Sequence, residues 1–268
     1  MDANLRSRLA TAGVGIPMLV WLIGWGPPWL FSTVFFLFTA GALYEYFAMT
    51  LPGAWKQRLA GNVIGAALAF AVIRYGQSAA LQYLGAALVL ALSAILVFRQ
   101  RLVKKINLIV WTLLGVFYIG YLVPFVILLF RRPDGRAWTA WLLFVIMAGD
   151  SAGYFVGRRF GKKKLAPALS PGKTVAGAWG NLLGALIVGL MGAALLLRPV
   201  SWLEIALLSL ALAVLGQIGD LFESWIKRVS AVKDSGSVLP GHGGLLDRLD
   251  SLIFPAAFTT AYLRMFHS

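Results

Sequence analysis

Long apolar stretches, each broken by a short polar or Pro/Gly-bearing segment, repeat from one end of the chain to the other. An α-helix rising ~1.5 Å per residue needs roughly 20 such residues to cross a bilayer. The pattern predicts about nine spans, over 9–25, 29–49, 59–74, 79–98, 106–130, 137–157, 177–197, 202–223 and 249–266. Helix-breaking signals separate them, at Pro27–Pro28, Pro52–Gly53, Pro133 to Gly135, Pro171–Gly172 and Pro240–Gly241. The period-two alternation of a membrane β-barrel is not seen in the sequence. The expected fold class is therefore an all-α polytopic integral membrane protein. Arg6 and Arg8 ahead of the first stretch resemble a signal peptide, but no small-residue cleavage site precedes Pro27, so a retained span is expected.

Charge adds an orientation. Only 13% of the residues are charged and 60% are hydrophobic, yet the net charge is +14. The basic residues fall between the apolar runs, where they meet anionic head groups and orient helices, a distribution that argues against a nucleic-acid groove. With the N-terminus in the cytoplasm, most Lys and Arg lie on the inner side, and both long polar loops, 158–176 and 224–248, face the cytoplasm. The chain has no cysteine, which excludes disulfides, thiolate metal sites and cysteine nucleophiles.

The first half carries little chemistry. Glu45, near the inner end of the second span, is either an interfacial structural acid or a contributor to a site. Gly and Ala in 60–71 and 85–91 suggest close helix packing. Trp29, Trp55, Trp138 and Trp202 suggest interface anchors.

The second half holds two polar clusters. One runs GDSAGYFVGRRFGKKKLAPALSPGKT, with Asp150 inside a span, where an acid needs a partner or a metal. Its Gly172–Lys173–Thr174 suggests a phosphate loop, but Pro167 stands where the Walker pattern needs glycine and no strand precedes it. What remains is a Pro/Gly-shaped loop able to offer Ser170, Lys173, Thr174 and backbone N–H groups to a polyphosphate. In the other cluster, Gln217, Asp220, Glu223, Ser224, Lys227 and Arg228 recur at helical spacing and form one polar stripe, leaving Leu215, Ile218, Leu221, Phe222, Trp225 and Ile226 to face outward. Asp247 and Asp250, three apart, can face the same way. Carboxylates from two helices make a hard-oxygen site suited to Mg²⁺ with substrate phosphates. Lys227, Arg228, Lys233 and Arg248 could neutralise a triphosphate, and Gly243 and Gly244 would let backbone approach closely. His242 is either a phosphate donor or part of a structural turn.

The run SWIKRVSAVKDSGSVLPGHGGLLDRLD resembles the signature of the CDP-diacylglycerol synthases, or phosphatidate cytidylyltransferases. GDLFES, the Asp150 to Lys162 segment and SPGKT are similar to other family motifs, so the likeness covers at least 148–251. It implies transfer of a cytidylyl group from CTP to phosphatidic acid, giving CDP-diacylglycerol and pyrophosphate, with Mg²⁺ required and room for a second cation. By position, Asp220 and Asp247 with Ser224 are implied as metal-holding residues. Lys227, Arg228, Lys233, Asp234, His242, Gly243, Gly244, Arg248 and Asp250 match the signature's polar and glycine positions. Asp150, Ser170, Lys173 and Thr174 match the second motif on the nucleotide side. Val175 and Ala176 depart from relatives that carry an aromatic residue followed by Glu or Gln.

The expectation is one transmembrane catalytic domain over 1–268, with 1–136 mainly scaffold and 137–268 carrying the motifs. CTP, phosphatidic acid and the bilayer are the expected partners, and a homodimer is compatible with the small-residue helix faces. A bacterial plasma membrane is the expected location, with the site facing the cytoplasm. A CDP-alcohol phosphatidyltransferase is disfavoured by the missing D-G-x2-A-R array. A transporter is disfavoured because the polar clusters sit at span ends rather than at the midplane.

Overall fold

A computed structural model describes residues 3–97, 102–197, 200–236 and 243–267. In order these form α1 (Ala3–Gly24), α2 (Pro28–Thr50), α3 (Trp55–Tyr75), α4 (Gln77–Val97) and α5 (Leu102–Gly115). A π-helical segment, Val116–Tyr121, carries α5 toward α6 (Phe125–Phe130). Then come α7 (Gly135–Phe160), β1 (Lys164–Ala166), β2 (Ser170–Thr174), α8 (Val175–Leu196), α9 (Trp202–Val229) and α10 (Asp250–Phe266). Among the described residues, 6 helical stretches are long and apolar enough to cross a membrane: Pro28–Thr50, Trp55–Tyr75, Ile106–Phe130, Gly135–Phe160, Val175–Leu196 and Trp202–Val229. Shorter apolar helical segments lie at Gly13–Gly24 and Leu81–Ser93.

The boundaries follow local chemistry. Pro28 opens α2, where its missing N–H costs nothing. Gly76 ends α3 at φ +80°, beyond the reach of most L side chains. Thr174 caps α8, its Oγ1 accepting from the Gly177 N–H at 3.1 Å. The sequence pattern misses the short antiparallel pairing of β1 with β2, because strands of three and five residues are too brief to show alternation.

The chain divides into two compact units, Met1–Leu128 with Val229–Leu249, and Leu129–Arg228 with Asp250–Ser268. In the first, the aromatic face of α2 packs onto small residues. Phe47 covers Gly61, Leu43 covers Gly65, and Tyr46 lies against Gly115 while donating its hydroxyl to the Trp111 carbonyl at 3.0 Å. Close packing is thus borne out at Gly61 and Gly65. Gly85 has no such neighbour, since a Cβ there would meet open space.

In the second unit α7 and α8 approach along glycine faces. Gly149, Gly153 and Gly157 of α7 face Asn181, Gly177 and Thr174, while Gly180 and Gly184 of α8 receive Val156 and Ala152. Farther along, buried Trp141 donates Nε1–H to the Gly189 carbonyl at 2.8 Å. Trp138 departs from the expected interface anchor: it is buried, edge-on to Trp141 at 5.5 Å and near the His267 ring at 6.0 Å. Trp29, Trp55 and Trp202 are exposed.

Candidate active site

The polar stripe lies on one long helix. α9 continues to Val229, past the expected end of its span, so Gln217, Asp220, Glu223, Ser224, Lys227 and Arg228 are all helical. Glu223 and Lys227 form an i,i+4 ion pair at 2.5 Å that supports this last stretch. Ser224 Oγ donates to Asp220 Oδ1 at 3.5 Å. One outward assignment fails: Ile226 is fully buried, because it shares the side of the helix that also buries Glu223.

Within the second unit, three separate segments bring their polar groups onto α9. The β1–β2 hairpin carries Lys173, whose Nζ meets Asp220 Oδ2 at 2.5 Å. Arg228 Nε donates to the Leu169 carbonyl at 3.2 Å, tying the turn of the same hairpin to α9. From the paired helices α7 and α8 comes a chain of hydrogen bonds: Gln217 Nε2 donates to Asn181 Oδ1, and Asn181 Nδ2 donates to Asp150 Oδ1, each at 3.1 Å. Asp150 also accepts from Ser251 of α10. Gly219 lets α10 approach, since a Cβ there would strike the Asp250 carbonyl. Asp150, Asp220 and Asp250 are near enough to act on one another electrostatically, with Lys173 acting on Asp150 and Lys227 on Asp250. Like charges gathered this way repel, so the cluster needs cations. Lys173 and Asp220 remain 24% and 35% exposed, so a ligand can reach the pair.

The first unit holds Asp247, Asp234 and Glu45. Asp247 lies in the short 3₁₀ turn Leu246–Arg248, ahead of α10. Its Oδ2 accepts from the Gly244 N–H at 2.8 Å and the Ser235 N–H at 3.2 Å. Gly243 takes φ +77° beside Asp247, a conformation that suits glycine. Lys233, Asp234 and Arg248 are exposed. Glu45, from α2, is 2% exposed and sits against this loop. Its Oε2 accepts from the Leu246 N–H at 3.0 Å and from Ser235 Oγ at 3.3 Å. His242 lies outside the described residues.

Two residues escaped the sequence reading. Asn181 offers only a lone amide in an apolar helix as its signal, and Ser235 sits inside the signature without an obvious role. Thr174, expected beside the nucleotide, also caps α8, its Oγ1 accepting from the Gly177 N–H. Ser170 begins β2, half-buried.

Among the described residues, no three His, Cys, Asp or Glu side chains form a ready metal cage. The donor set nevertheless suits Mg²⁺, which commonly takes one or two carboxylates and completes its shell with water and phosphate oxygens.

The family model described as "Cytidylyltransferase family" matches residues 6–266. This chain belongs to the cytidylyltransferase family. It is 35% identical over 259 residues to a phosphatidate cytidylyltransferase of Brucella suis biovar 1 (strain 1330), covering 95% of this chain and 92% of the relative. It is also 43% identical over 132 residues to a phosphatidate cytidylyltransferase of Bacillus subtilis (strain 168), about half of each chain (49% and 49%). A phosphatidate cytidylyltransferase of Staphylococcus saprophyticus is 39% identical over 142 residues, 53% of this chain and 54% of that one. The chain is accordingly a nucleotidyltransferase with several apolar helices suited to a membrane.

Proposed function

We propose that the protein transfers the cytidylyl group of CTP to phosphatidic acid, giving CDP-diacylglycerol and pyrophosphate. The observation that carries this is likeness over 95% of the chain to a relative named for that reaction. The cluster of Asp150, Asp220 and Asp250 with Lys173 gives it a chemical setting.

The phosphate oxygen of phosphatidic acid is already an anionic nucleophile, so no general base has to create it. It attacks the α-phosphorus of CTP, the new P–O bond forms, and the bond to the β-phosphate oxygen breaks to release pyrophosphate. Positioning and charge neutralisation therefore supply the catalysis. Lys173, which pairs with Asp220, binds phosphate oxygens, and its hairpin is held to α9 by Arg228. Asn181 and Gln217 hold Asp150 in one orientation. Lys227, Arg228, Lys233 and Arg248 are the cations for the lipid phosphate and the pyrophosphate. By the resemblance of the signature, Asp220, Ser224 and Asp247 would hold Mg²⁺, which would supply neutralising charge for the phosphate oxygens.

The topology belongs to the same proposal: about nine spans, the N-terminus inside, and the site at the cytoplasmic face of a bacterial plasma membrane. CTP then enters from the cytoplasm and the lipid from the side. Purified protein in detergent micelles, given CTP, Mg²⁺ and phosphatidic acid, should form pyrophosphate and a cytidine-labelled lipid together, and EDTA should abolish both. Release of CDP with a newly phosphorylated lipid would instead identify a kinase. The absence of lipid-dependent turnover by folded protein would refute the transferase reading.

A further inference from the structure

Glu45 lies among the apolar residues of α2, 190 positions from Ser235, whose side chain it meets. A buried carboxylate is costly unless hydrogen bonds compensate it. Here Oε2 takes two, from the Leu246 N–H and from Ser235 Oγ, on opposite flanks of the signature loop. Ser235 is itself buried and bridges two acids: its hydroxyl donates to Glu45 and its backbone N–H to Asp247. Leu246 is the immediate neighbour of Asp247. The carboxylate thus holds the Leu246 backbone on one side of the loop and the Ser235 hydroxyl on the other, both on residues next to or bonded to Asp247.

Glycines make the approach close. A Cβ on Gly236 would collide with Glu45 Oε1, and one on Gly244 would collide with Ser235 Oγ and Glu45 Oε2. The Ser235–Gly236 pair and Gly244 are therefore shaped to receive an acid from a distant helix. Leu245 packs on Gly41, one turn earlier on α2, which extends the seat.

We propose that Glu45 is a positioning residue, whose buried carboxylate locks the two flanks of the signature loop and so sets the orientation of Asp247. The required property is acceptance of two hydrogen bonds, which an amide oxygen also provides. This rests on the reaction proposed above, in which Asp247 serves the metal.

The test uses the full chain in micelles with three variants, Glu45→Ala, Glu45→Gln and Ser235→Ala. Two readouts are followed: the Mg²⁺ concentration for half-maximal turnover, and the rise in melting temperature that Mg²⁺ produces without substrates. Glu45→Ala leaves two donors unsatisfied, so the Mg²⁺ midpoint should rise about tenfold or more and the Mg²⁺-induced thermal shift should shrink. Glu45→Gln should recover to within about threefold of the parent, and Ser235→Ala should move both readouts part-way in the same direction. A lower melting temperature with an unchanged Mg²⁺ midpoint in the folded fraction would assign Glu45 to packing alone and overturn the proposal. If Glu45→Ala does not fold, Ser235→Ala decides, and an unchanged Mg²⁺ midpoint there overturns it equally. Failure of the parent to make cytidine-labelled lipid would strike the reaction itself, whereas the Mg²⁺-dependent thermal shift tests the positioning role independently.

Discussion

The two units hold their acids by different means. In the first, Asp247 and Glu45 are held largely by backbone N–H groups of Ser235, Gly244 and Leu246, and the loop carries glycines to permit it. In the second, Asp150 and Asp220 are held by side chains from other segments, an amide from α8 and a lysine from the hairpin. Backbone donors are fixed in place and cannot exchange for a ligand cheaply. A lysine on a long flexible stem can swing from a carboxylate to a phosphate, which suits a group that must receive substrate. One unit therefore presents rigid geometry, and the other presents exchangeable charge.

That contrast can be broken at four points. Removing a charge that is proposed to hold the metal should have the largest effect: Asp220→Asn should cut turnover by about a hundredfold or more at saturating Mg²⁺, measured as cytidine-labelled lipid. Normal turnover would remove Asp220 from the metal assignment. Lys173→Gln comes next. Losing the cation beside Asp220 should lower kcat/KM for CTP by about tenfold while leaving the melting temperature nearly unchanged, as expected for an exchangeable partner. Gly244→Ala attacks the rigid side and should act in the opposite sense. Its Cβ meets Glu45 and Ser235, so stability should fall by about 2 kcal/mol in thermal or chemical unfolding. The smallest effect is expected from Asn181→Leu, which breaks the link from Gln217 to Asp150. A loss of about 1 kcal/mol of stability and a fewfold loss of turnover should follow. A large loss of stability there would mean that α8 depends on this amide for packing.

Much of this was legible in the chain. The apolar runs at 29–49, 106–130, 137–157, 177–197 and 202–223 correspond to helices because bilayer-length apolar segments satisfy their own backbone hydrogen bonds. The spacing of Asp220, Ser224 and Lys227 was enough to place them on one face, since helical periodicity is a local property. Ile226 was misjudged because the stripe shows which positions are polar but not which neighbours cover the rest. Trp138 looked like an interfacial ring by its place near a span end, and only its packing on Trp141 and His267 shows it buried. The hairpin at 164–174 was read as a loop because strands of three and five residues are too short to show alternation.

The sequence by itself determined the class of protein, its helical character and the motif residues, because hydrophobic length, helical spacing and a long ungapped signature are all properties of neighbouring positions. The tertiary structure alone decided which distant groups meet: Lys173 with Asp220, Asn181 with Asp150, and Glu45 with the signature loop. Such partners are chosen by which glycine-bearing faces allow close approach and by the need of each buried polar atom for a hydrogen bond. Neither condition can be evaluated until the chain has folded.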